Sequence, residues 1–126
     1  MRIAINASSS LISDHFEILL RLANRFNEHI FLFFFDSEPA ISTLPSNVHP
    51  VIIKPQQSIR WFSKTIYQRQ LAAALKKHKA GIFISEAFVS SHTNVPQILI
   101  SPDLTYIFYP ALLNKKQFST AKKKYA

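Results

Sequence analysis

Apolar positions along the chain follow two rhythms. Arg2 to Asn6 alternates, with Ile3 and Ile5 on one face, as a short buried strand does. From Phe16 the spacing lengthens. Phe16, Leu19, Leu20, Ala23 and Phe26 fall on one side of a helix, with Arg21, Asn24 and Arg25 on the other. Asp14 and Glu17 stand at capping-box spacing where that helix should begin. Ile30 to Phe35 is an unbroken apolar run followed by Asp36, the pattern of a strand buried on both faces.

The segment DSEPAISTLPSN reads as a loop broken by Pro39 and Pro45. VHPVII is a third strand, and Pro50 predicts an edge position or a pairing defect. Lys54 to Ser58 is loop again. Ile59 to His78 is rich in helix formers, but its apolar residues do not keep to one stripe. Ile59, Phe62 and Ile66 share a face, while Leu71 and Leu75 lie nearly opposite, which predicts a bend or contact on two sides. Gly81 stops this helix or opens the next strand, GIFIS. QILIS follows as a further strand after the Val95-Pro96 turn. Asn114 to Tyr125 has a polar helical pattern with few apolar anchors and no cap, as expected of a solvated helix, of one that contacts phosphates or headgroups, or of one whose packing partner lies beyond Ala126.

The predicted order is β-α-β-β-α-β-β-α. That order predicts an α/β fold: a Rossmann-like, open, mostly parallel sheet with helices on both faces. Ligands of such sheets sit beyond the carboxyl ends of the strands. The loops to watch are therefore Asn6 to Ser13, Ser85 to His92 and Ser101 to Tyr109.

With 126 residues the chain suffices for one domain, residues 1–126. An apolar content of 48% favours a folded core over disorder. There is no cysteine, which excludes disulfides and thiolate chemistry and fits a reducing compartment. MRIAINA lacks the pattern of a secretory leader, and IFLFFF is too short to cross a bilayer. A cytoplasmic location is expected. Gly81 is the only glycine, so a dinucleotide fingerprint, a phosphate-binding P-loop and a nucleophile elbow are all excluded. No cofactor is expected.

Charge divides the chain. Up to Ile53 the balance is −2; from Lys54 onward it is +10. A basic half suits nucleic acid, an anionic membrane surface or a phosphorylated substrate, or is simply a solvated face. Lys115, Lys116, Lys122, Lys123 and Lys124 are the candidates for phosphate or headgroup contact, which would place the protein peripherally on the inner face of the cell membrane. An exposed cleft face would also favour a homodimer.

The first loop, NASSSLIS, offers the Asn6 amide and the hydroxyls of Ser8, Ser9 and Ser10 beside a helix N-terminus. These groups can bind an anion or a sugar hydroxyl, or can merely cap the helix. Glu86 follows GIFIS, and Asp103 follows QILIS. Together they could serve as general acid and base, although Asp103 after Pro102 is equally placed to cap a helix. The histidines His15, His29, His49, His78 and His92 have no metal-site spacing and read as surface or capping residues.

The opening MRIAINA, the strand IFLFFFD and two longer stretches carry a resemblance. LKKHKAGIFISEAF is similar to a Leu-Lys-Lys-x-Lys-Ala-Asp-Val-Phe-x-Ser-Pro pattern. VPQILISPDLTYIFYP is similar to Val-Pro-x-x-x-x-x-His-Asp-Leu with a later Tyr-Pro. From Met1 to about Pro110 the chain resembles the N-terminal half of a retaining, family 4 glycosyltransferase of the GT-B fold. The resemblance implies an acceptor-binding domain that is not competent alone. A second, donor-binding domain, absent from this chain, would hold the nucleotide-sugar, and transfer to a saccharide or lipid-linked acceptor would occur between the two. Asp103, Leu104, Tyr109, Pro110 and Ser85 carry over as matching positions. Two positions depart from the pattern: the first loop lacks the family's glycines, and Pro102 stands where the family has His.

The implied acceptor contacts are Asn6, Ser8, Ser9, Ser10, Ser85, Asp103 and Tyr109. The rival reading is a non-enzymatic basic module for a protein partner or nucleic acid, with the aromatics of IRWFSKTIYQR stacking on bases. Trp61 and Phe62 fit core or interface anchors better, and no nucleic-acid motif is present.

Overall fold

A computed structural model of the chain describes residues 1–7, 14–39, 43–54, 63–86, 89–100 and 111. Its elements are β1 (Arg2–Asn6), α1 (Asp14–Arg25), β2 (Ile30–Phe35), β3 (Val48–Ile52), α2 (Ser63–Lys77), β4 (Ile82–Ser85) and β5 (Gln97–Leu99). The strands form a five-stranded sheet in the order β3-β2-β1-β4-β5, and every neighbouring pair is parallel. This is the Rossmann-like α/β architecture that the two apolar rhythms predict, wholly parallel rather than mostly so. The predicted helix Asn114 to Tyr125 lies outside the described residues. Among those residues no helix is long and apolar enough to cross a membrane.

Strand pleating divides the core in two. Ile3, Ile5, Phe31, Phe33 and Phe35 face α1 and meet Phe16, Leu19 and Ala23. Ala4, Leu32, Phe34 and Phe83 face α2 and meet Leu71 and Leu75. The continuous apolar run of β2 thus reflects burial on both faces, as expected. Phe16 stands edge-on to Phe33 at 5.8 Å and 72° and to Phe35 at 6.1 Å and 64°. Rings packed this way add about 0.5–1.5 kcal/mol to the burial of their area.

The chain moves outward from β1 through α1 to β2 and β3, then returns through α2 to β4 and on to β5. Right-handed crossovers running in opposite directions place α1 and α2 on opposite faces. Leu44, between β2 and β3, packs on the α1 side, and Val95, between β4 and β5, packs on the α2 side.

Pro50 sits on β3 at the sheet edge, opposite Phe33. Phe31 N donates to Asn47 O at 2.8 Å, and Ile53 N donates to Phe35 O at 2.8 Å. Bonding toward β2 alternates along a parallel strand, so the proline nitrogen between these odd-numbered partners faces outward, where no donor is needed.

One helix expectation changes. Phe26 leaves the buried stripe of α1 and is 41% exposed, because the helix ends at Arg25 and the chain turns through His29 N to Phe26 O at 3.1 Å. Asn47 secures that turn: its Nδ2 donates to Ala23 O at 2.8 Å and His29 O at 3.0 Å, with a longer approach to Phe26 O at 3.4 Å. In α2, Leu71 and Leu75 face the core and Ile66 is half-buried, while Ile59 and Phe62 lie outside the described residues. The buried Gln68 continues the face of Leu71 and Leu75, which meets the sheet and, through Gln68, His92.

Gly81 opens β4 but does not stop α2. Lys79 does, in the left-handed conformation at φ 54°. Ala80 N donates back to Leu75 O at 2.9 Å and Lys79 N to Lys76 O at 3.1 Å, the paired bonds of a Schellman ending.

Candidate functional site

In an open parallel sheet, the strands whose crossovers depart in opposite directions leave a crevice at their carboxyl ends. Here these strands are β1 and β4, neighbours in the sheet but far apart in sequence. The side chains there follow from the pleat. Asn6 lies two positions after Ala4, and Ser85 two after Phe83, so both point to the α2 side. Both are buried, and Asn6 Nδ2 donates to Ser85 Oγ at 3.3 Å.

The backbone around this pair is already committed to the sheet. Ala7 N donates to Phe34 O at 2.9 Å, extending the ladder past β1, and Ile100 N donates to Ser85 O at 2.9 Å beyond β5. Glu86 follows β4 directly, half-buried, with its Oε1 out of contact with solvent. Asn6, Ser85 and Glu86 each engage in further interactions.

The structure thus brings Asn6 and Ser85 together and sets Glu86 at the same end of the sheet. Ser8, Ser9, Ser10, Asp103 and Tyr109 lie outside the described residues, as do Lys115, Lys116, Lys122, Lys123 and Lys124. The carboxylate pairing of Glu86 with Asp103 falls there too.

The chemistry of the Asn6–Ser85 pair is hydrogen bonding. An amide cannot take a proton from a hydroxyl, so Asn6 does not activate Ser85 as a nucleophile. An amide and a hydroxyl together offer uncharged donors and acceptors, the set that recognises sugar hydroxyls or a peptide group. Among the described residues no three of His, Asp and Glu stand close enough to hold a metal ion.

A second polar arrangement had no local signal in the sequence. Ser90 N donates to Gln97 Oε1 at 2.8 Å, and Gln97 Nε2 donates to Ser90 O at 2.7 Å. His92 Nδ1 and Gln68 Oε1 form a hydrogen bond at 2.9 Å. These contacts clamp the β4–β5 connection to β5 and α2. They join residues that sequence spacing cannot relate.

No protein-family model matches the chain, and no curated protein matches its sequence.

Proposed function

We propose that this chain is the acceptor-side domain of a glycosyltransferase. The acceptor, a saccharide or a lipid-linked saccharide, would meet Asn6 and Ser85 at the carboxyl ends of β1 and β4. A second domain would hold the nucleotide-sugar, and Glu86 would stand nearest the reacting hydroxyl from this side. The observation that carries the reading is the buried Asn6–Ser85 hydrogen bond at the point where the strand order reverses. The resemblance of LKKHKAGIFISEAF and VPQILISPDLTYIFYP to family 4 patterns supports the choice of a sugar over other polar ligands.

Saturation-transfer NMR with a panel of mono- and disaccharides tests it. Saturation of particular sugars, lost in Asn6→Ala and in Ser85→Ala, is the expected result. Saturation that survives both substitutions, or none with any sugar, would remove the acceptor reading.

A further inference from the structure

A parallel crossover is usually a helix, yet the β4–β5 connection spans only residues 86–96, and its described residues, 86 and 89–96, contain none. The connection runs down beside α2, and a furrow of about 510 Å³ remains between them. It opens toward the amino ends of β4 and β5, away from Asn6 and Ser85. Its accessible apolar lining comes from Ala72, Val95 and Pro96, and its cationic groups are Lys76 and Lys79.

The lysines are not needed to finish α2. The Schellman bonds already occupy Leu75 O and Lys76 O, and Arg2 Nη1 donates to His78 O at 3.0 Å. Among the described residues neither lysine takes part in an ion pair. The helix dipole contributes roughly half a negative charge here, less than the two lysines bring. Lys79 also occupies a left-handed position that favours glycine, at φ 54°, while the chain's glycine lies two residues on. His92, in hydrogen-bond contact with Gln68 through Nδ1, also lines the furrow.

We infer that this furrow binds a phosphate-bearing ligand, with the phosphoryl group on Lys76 and Lys79 and the apolar portion against Ala72, Val95 and Pro96. The site is independent of the acceptor reading and lies at the other end of the strands. The phosphate belongs either to a soluble molecule or to a lipid headgroup.

The test is an amide-resolved NMR titration of the full chain with inorganic pyrophosphate, paired with sedimentation on phosphatidylglycerol vesicles. Lys76→Gln and Lys79→Gly remove the amines; Lys79→Gly also relieves the left-handed backbone, so a folding defect cannot mimic lost binding. Lys54→Gln, at the exposed end of β3, is the control. The expected result is saturable shifts at Thr93, Asn94 and Val95, with affinity falling roughly tenfold per lysine removed and unchanged in the control. Pyrophosphate binding with that dependence identifies a soluble ligand, and vesicle binding with it identifies a headgroup; either supports the site. No binding of either probe, or binding weakened equally by Lys54→Gln, overturns it.

Discussion

Asn6 and Ser85 lie 79 positions apart in sequence, yet their side chains meet at 3.3 Å in the interior of the sheet end. The bond spans β1 and β4, whose pairing sets Ile5 beside Ile84, one residue short of both partners. Asn6→Ala and Ser85→Ala should each lower unfolding stability by about 1–2 kcal/mol. The double variant should cost less than their sum, by about 0.5–1.5 kcal/mol. Urea denaturation of the four proteins gives the coupling, and strictly additive losses would show that the bond contributes nothing.

Asn47 joins the end of α1 to the start of β3 by donating one amide group to several carbonyls. Asn47→Ala strands these acceptors and should cost about 1–3 kcal/mol. Asn47→Asp should cost more, since a carboxylate would face Ala23 O and His29 O without a proton to offer. Thermal unfolding of both variants checks the order; an aspartate variant as stable as wild type would contradict it.

At the end of α2 the glycine and the left-handed residue are different positions. Lys79→Gly should therefore stabilise the protein by about 0.5–1 kcal/mol. Gly81→Ala should change little, because no positive φ is required there and the new methyl group would meet the flexible Met1 Cγ at 3.3 Å. Chemical denaturation of the pair distinguishes this from a helix ended by Gly81, which would demand a large loss in Gly81→Ala.

Phe33 sits at the centre of the aromatic cluster, fully buried and touching both Phe16 and Phe35. Phe33→Ala should cost about 3–5 kcal/mol through lost transfer energy and the cavity left behind. Phe33→Leu should cost less than half of that, because most of the volume is kept. Similar losses for both would mean that the ring–ring geometry, rather than filled volume, dominates.

Much of the fold was legible because it is written in short-range periodicity. Alternation at Ile3 and Ile5, the unbroken run Ile30 to Phe35 and the Phe16–Leu19–Ala23 spacing each report the local exposure of an element, and burial follows them. Pro50 announced an edge because a missing donor is a property of the residue itself. Phe26 misled because its spacing continues the α1 stripe, whereas the turn that ends the helix depends on Asn47, 21 positions away.

The sequence by itself determined the five strands, the helices α1 and α2, the α/β class and the absence of any glycine-built phosphate loop, since each depends on residue type and local spacing. Only the tertiary structure decided that Asn6 would meet Ser85, that Asn47 would close α1, that Lys79 rather than Gly81 would end α2, and that a furrow would open beside it. These depend on which strands become neighbours and on how short connections pack. The physical reason is that such contacts gain their free energy from partners brought together by the whole chain, and no local pattern encodes the partner.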